Sequence, residues 1–508
     1  MAIMVFKMFT KVIICPILLL TAVALIRTFL VHRPPPPLSC NTQEDGYISD
    51  EKRNLSGHLS QAIQFETVTT DIHSYNSEEL ARFGDHLKKI FPAIHSSSFI
   101  TREVINNISL LYTVQGNDSS LKPYLLSGHL DVVPVDETQW TVFPFGGIKK
   151  DGFVYGRGTI DAKHIVMGIL EALEYLLEKG FRPTRSFYLA FGHDEEASGF
   201  DGASHISALL QARNVTLEYL LDEGMMVFNN TIPGLNVPVA MVGVTEKGYA
   251  TLKISVSGQT GHSSLPPKET TIVILAKSIS RLVGTSHPSM FGKGPEKDML
   301  EAAAPYASFP FKFVYANIWL FRPFLSWIFS LQPHSNSLVR TTTAVTMISG
   351  GIKSNVVPGE ASAIVNHRVH PADSIEEVID HDRYLLNNDD LEIETLESIP
   401  PHPISPFSSD SFAYQTLKYS IRQIYPDCAV VPTIMVANTD SKWYLPLTRA
   451  IYRFSPVNII TEDTARLHGN DERISIKNYE QVVNFYYHLI INSNGNKLAF
   501  QQHTHQEL

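Results

Sequence analysis

Three short apolar segments, each cut off by an acidic or histidine-bearing cluster, constrain this chain more than any other feature. Tyr124-Leu125-Leu126-Ser127 runs into Gly128-His129-Leu130-Asp131. Phe187-Tyr188-Leu189-Ala190-Phe191 runs into His193-Asp194-Glu195-Glu196, and Leu217-Glu218-Tyr219-Leu220-Leu221 into Asp222-Glu223-Gly224. Between the first two, residues 161–179 set Ile165, Ile169, Leu173 and Leu176 at helical spacing, with Asp161 near the start and Gly180 at the end. Strands alternating with such a helix predict an α/β fold, a mostly parallel sheet flanked by helices. In open sheets of this kind ligands gather just beyond the carboxyl ends of the strands. All three clusters fall there, so the pattern predicts one shared site.

The 508 residues are too many for one ordinary core, and an apolar content of 44% against 18% charged residues fills more than one. From about Lys247 the pattern changes to alternating strands such as Tyr249 to Val256, a helix around residues 268–284, and strands near 342–349 and 360–369. That reads as a separate α+β insertion. After about residue 400 the βα pattern returns and closes on a helix near 475–492. Inside the insertion, residues 309–333 carry Phe311, Phe313, Trp319, Phe321, Phe324, Trp327 and Phe329, interrupted by Arg322-Pro323. The interruption argues against a membrane span. Two readings stay open: a face for a membrane surface or an acyl chain, or an apolar insert packed on its own domain or across a dimer interface.

A formal charge of −10 and the lack of a basic stripe exclude a phosphate-backbone binder, so no nucleic-acid partner is expected. At the amino end, Lys7 and Lys11 precede an apolar run from Val12 to Ile26 that stops at Arg27, the layout of a signal peptide over residues 1–26. The run is about 15 residues, short of the roughly 20 that span a bilayer, and Ala22-Val23-Ala24 offers a small-residue cleavage site. Arg33-Pro34-Pro35-Pro36-Pro37 follows as an extended spacer. Sequons at Asn54, Asn107, Asn117, Asn214 and Asn229 fit a glycoprotein of the secretory pathway. With Cys15 in the signal, Cys40 and Cys428 either pair or stay free, too few for a disulfide scaffold or a cysteine metal site. His505-Gln506-Glu507-Leu508 reads either as an endoplasmic-reticulum retrieval tail or as an ordinary polar terminus.

Carboxylates and imidazoles without thiolates are what hard-to-borderline divalent ions prefer, zinc foremost. They occur here as His129-Leu130-Asp131, Asp161, Glu195-Glu196, Asp222 and Leu467-His468-Gly469. Any one of these is more often a loop or a cap than a ligand. Together they are more specific, because a dense acidic cluster repels itself unless a cation neutralises it.

Ser127-Gly128-His129-Leu130-Asp131-Val132-Val133-Pro134, Gly156-Arg157-Gly158-Thr159-Ile160-Asp161, Asp194-Glu195-Glu196 and Leu221-Asp222-Glu223-Gly224 resemble, in order and spacing, the metal-site signatures of the aminoacylase/carboxypeptidase G/carnosinase metallopeptidases. The resemblance spans roughly residues 55–492. It implies two zinc ions per subunit, one held by His129 and Asp222, the other by Glu196 and His468, with Asp161 bridging them. Glu195 would be the base that takes a proton from the attacking water and passes it to the leaving nitrogen. Asp131 would orient the His129 imidazole, or merely cap a loop. The resemblance also divides the chain into a catalytic domain over 34–245 and 401–495 and a lid or dimerisation domain over 246–400, with the aromatic insert at about 286–340. In Gly261-His262-Ser263-Ser264, His262 would reach a partner's site and bond the tetrahedral oxyanion, which implies a homodimer. Asn355 and Arg368 would contact substrate, Arg368 by gripping a carboxylate; read without the resemblance, they are a turn and a surface ion pair. The family's usual Gly-Gly-Thr-Asp turn is replaced by Ala437-Asn438-Thr439-Asp440, which puts the substrate contacts there in doubt.

The leading expectation is a secreted two-zinc amidohydrolase that cleaves, and reversibly forms, the amide bond of N-acyl amino acids. The aromatic insert favours N-fatty-acyl substrates, giving fatty acid and amino acid, and contact with a lipid or lipoprotein surface. A carnosinase-like dipeptidase is the alternative within the same chemistry. A catalytically silent binding glycoprotein for amphipathic ligands is the alternative outside it, and Glu195 beside a full ligand set argues against that one.

Overall fold

A computed structural model describes residues 15–38 and 47–495. Six strands of the large sheet form before the insertion: Ile100–Ile105 (β1), Ser109–Val114 (β2), Tyr124–His129 (β3), Phe187–Gly192 (β4), Leu220–Phe228 (β5) and Val239–Glu246 (β6). The insertion supplies Gly248–Ser257 (β7), Thr342–Gly350 (β8), Glu360–Val369 (β9) and Leu391–Ile399 (β10), after which Ala429–Met435 (β11) and Ile451–Ile459 (β12) return. The large sheet has eight strands in the order β11-β6-β12-β5-β3-β4-β2-β1. Its four central strands, β12, β5, β3 and β4, run parallel, as the alternation with helices predicts. Antiparallel pairs at β2 and β1, and between β6 and β12, make the whole sheet mixed.

The helix Lys163–Glu178 is buried along almost its entire length because it lies between the sheet and the closing helix Ile476–Ser493. Gly168 permits that approach, since a Cβ there would stand 2.6 Å from Val482 Cγ1. Two of the charged groups this burial traps are compensated by backbone partners. Glu174 accepts the backbone N–H groups of Ala93 and Ile94, and Lys163 Nζ donates to the carbonyls of Ala62 and Phe65. Burial still pushes the Lys163 ammonium down to about 7.

The insertion builds a second sheet in the order β8-β9-β7-β10, with the helices Thr271–Gly284 and Ile375–Leu386 covering one face through Ile254, Leu275, Leu282, Ala363, Val365 and Leu386. The aromatic insert does not pack there. Met299, Leu300, Tyr315, Ile318 and Leu325 share a core with Val239 and Met241 of β6 and Val431 and Ile434 of β11. The insert therefore covers an apolar face at the edge of the large sheet, a contact between segments that periodicity does not connect. Its longest helix, Ile318–Phe329, runs through Pro323 instead of breaking there.

The apolar run near the amino end forms the helix Cys15–Leu30. It docks on the insert: Ala24 is buried, Asn317 Nδ2 donates to the Ala24 carbonyl at 3.0 Å, and Arg27 Nε donates to the Ala316 carbonyl at 3.3 Å. No helix among the described residues is long and apolar enough to cross a membrane. Residues 1–14 of the expected signal, Cys40 and the tail 505–508 lie outside the described residues; Cys428 is buried and its thiol is pushed up to about 12 by that burial.

Candidate metal centre

β3 ends at His129, and Asp131 is buried just beyond it. His129 Nδ1 is 3.0 Å from the Asp131 carbonyl and 3.3 Å from Asp131 Oδ1. The same carboxylate accepts the backbone N–H groups of Glu195 and Glu196, each at 3.2 Å. Asp131 thus fixes both the imidazole and the turn after β4 that carries the two glutamates.

With Nδ1 engaged, His129 presents Nε2 to the site, 3.1 Å from Asp161 Oδ1 and 3.4 Å from Glu223 Oε1. The other oxygen of Asp161, Oδ2, is 3.0 Å from His468 Nε2, which in turn is 3.3 Å from Glu196 Oε2. Asp161 therefore stands between two groups of three, His129–Asp161–Glu223 and Asp161–Glu196–His468. Within each group one ligand atom per residue lies within 4.8 Å of the others.

The expected partner of His129 is Asp222, but the carboxylate that stands 3.4 Å from its Nε2 is that of Glu223. The third strand does not stop at Leu221 but runs from Leu220 to Phe228, so Asp222 and Glu223 lie inside it. Neighbours in a strand point to opposite faces. Glu223 faces His129, whereas Asp222 is buried beside Thr439, Arg453 and Glu246, with its Oδ2 without a hydrogen-bond partner.

The loop that presents Asp161 is shaped by a residue not singled out in the sequence. Buried Glu472 accepts the backbone N–H groups of Ile160 at 2.6 Å and of Gly158 and Asp161 at 3.2 Å, and pairs with Arg157 Nη1 at 2.5 Å. Arg157 Nη2 donates to the carbonyl of Gly469, beside His468, at 2.9 Å. One buried ion pair therefore sets the positions of both Asp161 and His468.

The electrostatics test whether a cation fits. Burial pushes the Glu223 carboxyl up to about 8, only partly opposed by His129. Burial and then the charge of Glu223 hold Glu195 well above the ordinary carboxylate range. Hydrogen bonds to Asp161 and Glu196 raise the His468 imidazole to about 10. Protons are doing here what a divalent ion does better, and Glu196 Oε1 is buried with no hydrogen-bond partner at all. The donor set of two imidazoles and three carboxylates fits two such ions sharing Asp161.

The expected substrate residues lie on the insertion. Arg368 is exposed on β9, and its Nη1 donates to Asn438 Oδ1 at 2.7 Å. The departure at Ala437-Asn438-Thr439-Asp440 thus supplies the group that aims Arg368. His262 and Asn355 lie side by side, because the pair Gly261–His262 runs against Val356–Val357 and Ser263 N–H donates to the Asn355 carbonyl. His262 is exposed and bonded to Ser264, and it is not part of the strand-end cluster.

A sheet that gathers carboxylates and imidazoles at its strand ends around a further glutamate, with a second sheet inserted beside it, is the framework of a metal-dependent amide hydrolase. The chain belongs to peptidase family M20/M25/M40, whose model matches residues 125–492. It is 44% identical over 486 residues to N-fatty-acyl-amino acid synthase/hydrolase PM20D1 of Xenopus tropicalis, covering 95% of this chain and 94% of that one. It is 40% identical over 494 residues to probable carboxypeptidase S-like 2 of Dictyostelium discoideum, covering 96% and 94%. Among solved structures it resembles the M20 family metallo-carboxypeptidase Sso-CP2 of Sulfolobus solfataricus, with a TM-score of 0.61, 17% identity and coverage of 88% and 100%.

Proposed function

We propose that this protein hydrolyses, and in reverse forms, the amide bond between a long-chain fatty acyl group and an amino acid, using two zinc ions. The observation that carries the chemistry is Asp161, whose two oxygens face two separate imidazoles. The acyl class is supported by similarity to the named synthase/hydrolase. In this reading His129 and Glu223 hold one ion, Glu196 and His468 the other, and Asp161 both. The ions would polarise the scissile carbonyl and offset the charge that builds on its oxygen.

The remaining work falls to this chain's own side chains. Glu195 removes a proton as water attacks the carbonyl carbon; when the C–N bond breaks, it returns that proton to the amino nitrogen. Asp131 keeps the turn bearing Glu195 at a fixed distance from His129. Arg368, steadied by Asn438, grips the carboxylate of the amino acid, and His262 from a second copy supports the oxyanion.

Trp319, Phe324, Trp327, Ile328 and Leu331 leave an exposed apolar face on the insert. Such a face suits a lipid or lipoprotein surface, from which a fatty-acyl substrate is drawn. All five sequon asparagines, Asn54, Asn107, Asn117, Asn214 and Asn229, are exposed, which supports a glycosylated, secreted protein.

The test is a direct comparison of N-oleoyl and N-acetyl amino acids on the purified protein. A kcat/KM higher for the oleoyl substrate by at least about 100-fold is expected, since each of many buried methylenes contributes about 0.8 kcal/mol. Equal turnover of the two removes the fatty-acyl reading. The ligand assignment has its own check in Glu223→Gln and Asp222→Asn. Glu223→Gln is expected to lower bound zinc by about one ion per chain, and Asp222→Asn to leave it unchanged; the opposite result restores Asp222 as the ligand.

A further inference from the structure

Away from the strand-end cluster, the inserted domain brings together a second set of ligand-type side chains. His287 lies in the connection after the helix Thr271–Gly284, His367 on β9, and Asp382 on the helix Ile375–Leu386. They are 3%, 0% and 0% exposed. His367 Nε2 is 2.8 Å from Asp382 Oδ2, and His287 Nε2 is 3.8 Å from Asp382 Oδ1. One ligand atom from each residue lies within 4.8 Å of the other two.

Close as they are, these atoms do not satisfy one another. Both Nε2 atoms and both oxygens of Asp382 are buried without a hydrogen-bond partner, so the 2.8 Å approach does not direct an N–H at the carboxylate. A buried carboxylate in that state is costly, and each such group in a native protein calls for an explanation. Its ion-pair partners among the described residues are these two imidazoles. The other nitrogen of His367, Nδ1, is 3.1 Å from Thr343 Oγ1, which leaves Nε2 as the atom turned toward Asp382. A further imidazole, His381, packs against His287 with ring centroids 4.4 Å apart and planes tilted by 43°, and its Nε2 is likewise buried and unpartnered.

We propose that His287, His367 and Asp382 bind one divalent transition-metal ion, zinc foremost, that ties a loop, a strand and a helix of the inserted domain together. Two imidazole nitrogens and one carboxylate oxygen are ligands that borderline ions accept, and the imidazoles disfavour calcium and magnesium. The site is structural, because its burial denies access to a substrate. The strand-end site shares none of its residues.

The experiment counts metal on folded, full-length protein by plasma mass spectrometry after equilibration with zinc, with circular dichroism as the check on folding. In the variant His129→Ala/Asp161→Ala/His468→Ala, which dismantles the strand-end site, about one zinc per chain is expected to remain. In an otherwise native chain, His287→Gln is expected to lower the zinc content by about one ion and to lower the Tm. A folded triple variant that holds no zinc overturns the proposal. So does a His287→Gln protein whose zinc content equals that of the native protein. The two variants alter different domains, so a folding failure in either leaves the other to decide.

Discussion

Glu195→Gln is expected to lower kcat by roughly 10²–10⁴-fold, the usual worth of a positioned general base, while bound metal and KM stay near native values. Gln keeps the size and shape of the side chain and removes only its capacity to take a proton. Unlike Glu196, Glu195 belongs to neither group of converging ligand atoms, so its loss leaves both intact. Its backbone N–H is held by Asp131, which the substitution does not touch. Burial and the neighbouring charge of Glu223 raise its carboxyl, and a cation held beside it would offset that charge and bring the carboxyl down, so that the proton-accepting carboxylate is the form that meets the water. Single-turnover rates measured with zinc content on the same preparation give the answer. A fall of less than tenfold at full zinc content assigns the proton transfer to another group.

What the sequence disclosed about this site follows from how each residue is placed. The strand-end places of His129 and of the Glu195-Glu196 pair were legible because they follow strands of a parallel sheet, where the chain order of apolar run and polar cluster is itself the geometry, whereas the separate roles of the two glutamates came from the family resemblance. Asp161 was legible through the helix it precedes. The choice between Asp222 and Glu223 was not, because it turns on whether the strand ends before them or continues through them, and one step of register reverses the facing side chain. The insert's position against β6 and β11 was hidden for a related reason: its apolar residues announce burial without naming the surface that buries them. His287, His367 and Asp382 form no motif, since 80 residues separate the first two and only β9 and a helix packed across it bring them together. Arg368 was read as a carboxylate grip, yet its partner Asn438 sits in the turn where the sequence departs from its relatives' pattern.

Glu472→Ala is expected to destabilise the protein by about 3–5 kcal/mol, the cost of leaving one partner of a buried ion pair alone, and to release metal from the strand-end site. The two losses have one cause. Arg157 and Glu472 are 2% and 0% exposed, so the guanidinium left behind keeps no compensating charge. Glu472 also accepts the N–H groups of Gly158, Ile160 and Asp161, and without it the loop loses the anchor that fixes both oxygens of Asp161. Where a buried pair is purely electrostatic, replacing both members by apolar residues recovers most of the stability. Here Arg157→Met/Glu472→Met is expected to recover little, because the three backbone donors stay unpaired in either case. Glu472→Gln, which keeps one acceptor oxygen, is expected to fall between native and Glu472→Ala in both stability and zinc content. Urea unfolding and metal content on the four proteins separate these cases. A Glu472→Ala protein within about 1 kcal/mol of native, an ordinary value for a surface substitution, would make the ion pair incidental and leave the position of Asp161 to be explained by the sheet alone.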